Sequence, residues 1–308
     1  MLRAFFVRLS ENPSLRNFAE RSSVGRRVSS RFVAGTEIAD AVRATQAVNR
    51  AGMSVTIDNL GENVTNPGEA RHSAQGYHRI LDAIVANNLN ANISLKLTHM
   101  GFDVEEKLAR DIVGGLVAKA AAMNPPGFVR VDMEGSPYTQ RTLDFVHELH
   151  RMPGNANSVG TVIQAYLKRS ESDIEKLLSE GIRIRLCKGA YKESGEIAFA
   201  AKSDVDANYV KLMKILLKSG IYHGLATHDE NMIRQAEAFA TREKISPDSF
   251  EFQMLYGIRR DLQQSLVRTG WRVRIYIPFG TEWYPYFMRR LGERPANVFF
   301  IARNLLRS

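Results

Sequence analysis

At 308 residues, with 44% hydrophobic and 24% charged side chains, the chain matches ordinary globular usage and has length for one large barrel or two domains of about 150 residues. The formal net charge is +9 and the pI near 9.7, but seven arginines against two glutamates in residues 1–31 supply +5 of it, so the rest is only mildly basic. No RNP-type motif, zinc-finger spacing or basic heptad accompanies that charge, which sets nucleic acid aside as a partner, and no apolar run approaches the roughly 18 to 20 residues of a membrane-spanning helix.

The chain opens on a basic stretch in which Asn12 before Pro13 reads as a helix N-cap, with Leu15, Phe18 and Ala19 on one face. Residues 1–35 are therefore expected to form a short helical arm and residues 36–308 the main body. The arm either packs on that body or touches anionic phospholipid. Arg8 interrupts the first apolar stretch too early for a signal peptide, and a cytoplasmic protein is expected, at most peripheral to the inner face of the membrane.

Beyond the arm, short runs rich in β-branched residues alternate with longer stretches of helical periodicity. The runs are Met53 to Asp58, Ile93 to Thr98, Phe128 to Met133, Thr161 to Tyr166, Ile182 to Cys187, Gly224 to His228, Phe250 to Met254 and Val273 to Ile277. Amphipathic segments such as Val104 to Met123 and Asp204 to Lys218 lie between them. Strand-helix alternation with this strand count predicts an α/β fold, a closed (β/α)8 TIM-type barrel with covered faces.

Barrel chemistry belongs at the C-terminal ends of the strands, and those positions are polar here. They hold Asp58, Lys96, Asp132, Glu134, Gln164, Arg185, Lys188, Thr227, His228, Glu251, Gln253 and Tyr276, with Gly189 allowing a sharp turn beside a ligand. Any one of them reads equally as a satisfied core group, but Lys96, Arg185 and Lys188 with an arginine pair nearby describe a mouth richer in cations than its acids neutralise, suited to an anionic cofactor and a carboxylate. Near the C-terminus, Arg289 and Arg290 sit in WYPYFMRRLGERPAN among Trp283, Tyr286 and Phe287. A planar guanidinium fork grips a carboxylate through two parallel bonds, and aromatic neighbours exclude water; the alternative is a solvated basic turn. No metal site is expected, His147 and His150 being read as surface or capping residues. The single cysteine, Cys187, excludes an intramolecular disulfide and reads as a buried small hydrophobe. Neither a Rossmann nor a P-loop glycine motif occurs.

Six segments in this order, SLKLTHMG from Ser94, VRVDMEGSPYT from Val129, RLCKGAY from Arg185, ATHD from Ala226, FEFQMLYG from Phe250 and the block holding the arginine pair, give the chain a likeness over nearly its whole length. It resembles the monofunctional bacterial proline dehydrogenases, FAD enzymes built on a distorted (β/α)8 barrel. The resemblance implies that Arg289, Arg290 and Lys96 grip the carboxylate of L-proline, with Glu293 holding the arginine pair. It implies a ring pocket of Tyr276, Tyr286, Leu255 and Tyr191, with Asp132 and Arg185 as catalytic residues. Met133, Gln164, Arg185, Lys188, Gly189, Ala190, Thr227 and His228 are implied as FAD contacts, and Gln253 is added to that set. The implied reaction gives 1-pyrroline-5-carboxylate, with electrons passing to a membrane quinone and the product to a separate dehydrogenase. Cys187 departs from the valine usual at its position, and the bulk of Tyr276 favours proline over 4-hydroxyproline. The rival readings are a Schiff-base aldolase using Lys96 or Lys188, and a non-catalytic basic adaptor for membrane or RNA.

Overall fold

The computed structural model describes Ser22 and residues 29–293, the last five of these by their backbone alone. The expected arm lies outside the described residues except for Ser22 and residues 29–35, and so do the side chains of Arg289, Arg290 and Glu293.

Strands and helices alternate in the order α1 (Ile38–Arg50), β1 (Ser54–Asn59), α2 (Pro67–Ala86), β2 (Ala91–Leu95), α3 (Glu106–Ala121), β3 (Val129–Val131), α4 (Ser136–Arg151) and β4 (Val159–Gln164). They continue through α5 (Ser170–Ser179), β5 (Arg183–Cys187), α6 (Lys202–Lys218), β6 (His223–Ala226), α7 (Glu230–Arg242), β7 (Phe250–Leu255), α8 (Arg260–Arg268), β8 (Val273–Phe279) and α9 (Trp283–Glu293). All eight strands are parallel and close into a barrel in sequence order, with β8 returning to β1. The expected (β/α)8 fold is borne out. Boundaries differ locally. The second run ends at Leu95, so Lys96 stands just past its strand, and Thr98–Met100 forms a 3-10 turn; the third is shorter than its β-branched run, and the eighth extends to Phe279.

Local chemistry fixes the helix starts. Asn66 accepts the Glu69 N–H at 3.0 Å with Pro67 in the first turn, which opens α2, and Glu37 and Asp40 form a reciprocal box that opens α1. Along the strands, alternate residues point to opposite faces. Val55, Ile57, Ile93, Leu95, Val129, Val131, Ile184, Leu186, Phe252, Val273, Ile275 and Ile277 occupy one parity and join helix residues such as Tyr77, Val113, Leu149 and Leu212 in a single buried core. Each fully buried aliphatic there is worth about 1.5–3 kcal/mol over leaving it in water.

A second cluster sits against the seam where the barrel closes. Phe32 and Val33 pack with Leu60, Ile258, Trp283, Tyr286 and Phe287, the Phe32 and Phe287 rings lying 6.1 Å apart. Ala34 donates its N–H to Pro278 O and Gly280 donates to Gly35 O, both at 2.9 Å, so this segment is fixed to the end of β8 and carries α9 with it.

Candidate active site

The other strand parity is polar. Register places Asp58 beside Ser94, Ser94 beside Arg130, Gly160 beside Arg130 and Arg183, Arg185 beside Gly224, and Glu251 and Gln253 on alternate positions of β7. In its depth, Arg274 Nε donates to Glu251 Oε1 at 2.6 Å and its Nη1 to Val55 O at 2.7 Å, while Arg130 donates to Thr161 O at 2.8 Å. Burial works against the Glu251 charge, but Arg274, Tyr222 and Gln253 outweigh it and its pKa lies below the usual value. Arg130 has its pKa pushed well down by burial and then by Arg185 and Arg183, a sign of cation crowding.

Nearer the mouth, Arg185 Nη1 donates to Asp132 Oδ1 at 2.7 Å and to Ser94 Oγ at 3.2 Å, and its Nε donates to Gln253 Oε1 at 2.5 Å. Arg185 Nη2 makes no hydrogen bond among the described residues. Asp132 also accepts from Ser94 Oγ at 2.7 Å and, on Oδ2, from the Tyr276 hydroxyl at 3.0 Å. Tyr276 lies under the guanidinium, 5.2 Å from ring centroid to Arg185 Cζ, and burial with Asp132 and Asp58 holds its hydroxyl well above the ordinary phenol range. Lys96 Nζ is 3.8 Å from Asp58 Oδ2. Burial disfavours its ammonium, but Asp58, Asp132 and Glu62 more than compensate, so its pKa is raised and the charge persists. An amine held in that state does not favour a Schiff-base role for Lys96. Asp58 is itself raised, by burial first, against the pull of Lys96.

The rim on the β3 to β7 side holds the remaining expected residues. Met133 is buried, and Gln164 donates its amide N–H to Glu134 O at 2.9 Å. Lys188 pairs with Asp206 at 2.5 Å and Asp229 at 2.8 Å. At Gly189 the backbone turns with φ +109°, and a Cβ there would meet the Tyr166 ring at 2.1 Å, so only glycine permits this turn. Ala190 and Tyr191 follow on the exposed side of the loop. Thr227 is buried and its Oγ1 accepts the Asp229 N–H at 3.1 Å; His228 Nε2 accepts the Leu255 N–H at 2.9 Å. Leu255 packs on the aromatic cluster that contains Tyr286. The structure thus brings Lys96, Asp132, Arg185, Gln253 and Tyr276 into one connected group, with Tyr286 and Leu255 together beside the seam.

Two expectations need adjustment. His150 is buried, not on the surface; its Nε2 lies 2.9 Å from Glu180 O, a helix-end contact, and His147 Nδ1 lies 3.0 Å from Glu180 Oε1. Cys187 is only partly buried, though burial still pushes its thiol pKa up to about 12. Among the described residues no cluster of His, Cys, Asp or Glu suits a metal ion, and no helix is long and apolar enough to cross a membrane. Sequence reasoning passed over Ser94, Arg130, Arg274 and Tyr222, which lie below the strand ends. The signal was present as charges at alternate positions inside strands, in VRVD and VRIY.

A closed (β/α)8 barrel with an apolar exterior parity and a cationic, hydrogen-bonded lumen opening at the strand C-termini defines a barrel enzyme. A family model described as proline dehydrogenase matches residues 41–303. The chain is 40% identical to proline dehydrogenase 1 of Bacillus subtilis (strain 168) over 100% of both chains. It is 37% identical to proline dehydrogenase of Deinococcus radiodurans over 100% of this chain and 98% of that one. Among solved structures, proline utilization A from Bdellovibrio bacteriovorus inactivated by N-propargylglycine is similar with a TM-score of 0.80 and 26% identity, covering 87% of this chain and 32% of that longer one. The chain belongs to the proline dehydrogenase family.

Proposed function

We propose that this protein oxidises L-proline to 1-pyrroline-5-carboxylate using FAD, passes the electrons to a quinone and releases the product to a separate dehydrogenase. The observation that carries the reading is the hydrogen-bonded set Asp132, Arg185 and Tyr276 at the strand ends, with Lys96 held beside it by Asp58, in a chain of this family.

FAD, when bound, supplies the acceptor for a hydride. The residues fit such a group: Met133, Gln164, Arg185, Lys188, Gly189, Ala190, Thr227 and His228 line adjoining ends of β3 to β6, the chain turns sharply at Gly189, and Arg185 keeps an uncommitted Nη2 donor among the described residues. Asp132 and Ser94 hold that guanidinium at the mouth, where its positive charge would favour the anionic form of a reduced flavin. Arg289 and Arg290 are assigned to the substrate carboxylate, with Glu293 orienting them and Lys96 adding a charge that its buried acids favour. Tyr276, Tyr286, Leu255 and Tyr191 wall the ring. The surplus of cations also lowers the pKa of the proline ammonium, so its nitrogen releases a proton to solvent before the adjacent ring carbon gives up hydride.

The test is the visible spectrum of the purified protein before and after anaerobic proline. Yellow protein bleached by proline, weakly by 4-hydroxyproline, and reoxidised faster by a soluble quinone than by buffer alone supports the reading. Protein that stays colourless after FAD reconstitution rejects it.

A further inference from the structure

Glu251 and Gln253 are two residues apart on β7, so both side chains enter the lumen. Glu251 is 3% exposed and its carboxylate is used within the barrel: Oε1 accepts from Arg274 Nε and from Gln253 Nε2, each at 2.6 Å, and Oε2 accepts from the Tyr222 hydroxyl at 2.9 Å. On its other side the Gln253 carbonyl accepts the Arg185 Nε–H at 2.5 Å.

An amide between a carboxylate, which only accepts, and a guanidinium, which only donates, satisfies both in one orientation and neither in the flipped one. Glu251 therefore sets which end of Gln253 meets Arg185. The strand beside it makes room for this crossing. Gly224 stands in register with both Arg185 and Glu251, and a Cβ there would lie 2.3 Å from Gln253 Nε2. Arg185 is thereby held on two edges, Nε by Gln253 and Nη1 by Asp132 and Ser94, against the repulsion of Arg130 deeper in the lumen.

We infer that Glu251 is a positioning residue for the proposed reaction, acting through the Gln253 amide to fix the rotation of the Arg185 guanidinium at the mouth. This assigns Gln253 to orientation of Arg185 and not to contact with the flavin. The inference rests on the dehydrogenase reading for its consequence in turnover, but the fixing of Arg185 is a property of the protein itself.

The experiment compares wild type, Glu251→Leu, Gln253→Leu and the double variant, as full-length protein, by stopped-flow reduction with proline and by exchange of the Arg185 Nε–H with solvent in flavin-free protein. Leucine removes the acceptor, whereas glutamine would keep one for Gln253 and Arg274. The Arg185 resonance is assigned through its loss in Arg185→Lys. Each single substitution is expected to slow the limiting reduction rate about tenfold or more, the equivalent of one directional hydrogen bond to a charged group, and to leave proline affinity within about twofold. The double variant is expected to be no slower than Gln253→Leu, because the route from Glu251 is already cut. Arg185 Nε–H exchange should accelerate in Glu251→Leu. Effects that multiply in the double variant, or a wild-type rate in Glu251→Leu, overturn the proposal. If wild type itself is not reduced by proline, the dehydrogenase reading fails, and unchanged exchange in Glu251→Leu then overturns the positioning role independently. Should the loss of charge leave Arg274 unpaired and the variant unstable, Glu251→Leu with Arg274→Met removes both charges and is held to the same exchange criterion.

Discussion

The two faces of the same eight strands differ in what they contribute. The outward parity buries aliphatic and aromatic side chains against the helices and is non-directional, so its contribution scales with area. The inward parity replaces the branched apolar layers common in such barrels with arginines, carboxylates and amides whose bonds are directional and whose charges do not cancel. The shell therefore holds the protein together, and the lumen spends stability on orienting groups.

The comparison breaks most visibly in the shell. Phe252, fully buried with its ring 5.5 Å from Phe250 and 5.9 Å from Trp271, should cost about 3–5 kcal/mol on replacement by alanine, read as a lowered denaturation midpoint, with turnover per folded molecule retained. The lumen should show the reverse. Arg185→Met is expected to slow flavin reduction about 10²- to 10³-fold, while stability falls by only about 1–3 kcal/mol, less than in the shell. Asp132 keeps its Ser94 and Tyr276 donors, and Arg130 is relieved of a like charge. A large fall in melting temperature in Arg185→Met would erase the division between the faces.

Acid sharpens it further. His223 Nδ1 accepts the Ile184 N–H at 3.0 Å and its Nε2 is 3.0 Å from Ser219 Oγ, an arrangement open only to the neutral ring. Burial, then Arg130 and Arg183, lower its pKa from 6.5 to about 3. A folded state that resists protonation loses stability as pH falls below 6.5, and the loss is complete near 3, a few kcal/mol for a shift of this size. His99, lowered to about 4 by burial and Lys96, adds to the same window. Denaturant midpoints of wild type and His223→Asn should converge as pH drops from 7 toward 4; a constant difference between them would remove His223 from the account. The smallest effect is reserved for Tyr276→Phe, which removes one hydrogen bond to Asp132 and should change the reduction rate by a factor of about ten or less.

The barrel was legible because eight β-branched runs alternate with helical periods, and its mouth because strand ends in this fold carry chemistry. The lower lumen was not legible in the same way. Arg130 and Arg274 stand inside strands, where a charge reads locally as an interruption, and only the register, which places Gly160 opposite Arg130 and Gly224 opposite Arg185 and Glu251, shows that space exists for long side chains. The end of β2 at Leu95 escaped for a related reason: Leu97 continues the apolar run while its backbone already turns, with φ −64° and ψ −36°. The arginine pair was read from sequence as a carboxylate clamp, and its side chains fall outside the described residues.

The closing seam also bears on how the molecule is made. Arg274 reaches back 219 positions to Val55, and Phe32 meets Phe287. During synthesis β1 emerges long before β8 and waits with an unpaired edge until β8 has left the ribosome, and α9 can settle onto Phe32 and Val33 only after that. A ribosome that stalls before β8 thus leaves a sticky, open sheet that neither this seam nor α9 can cover.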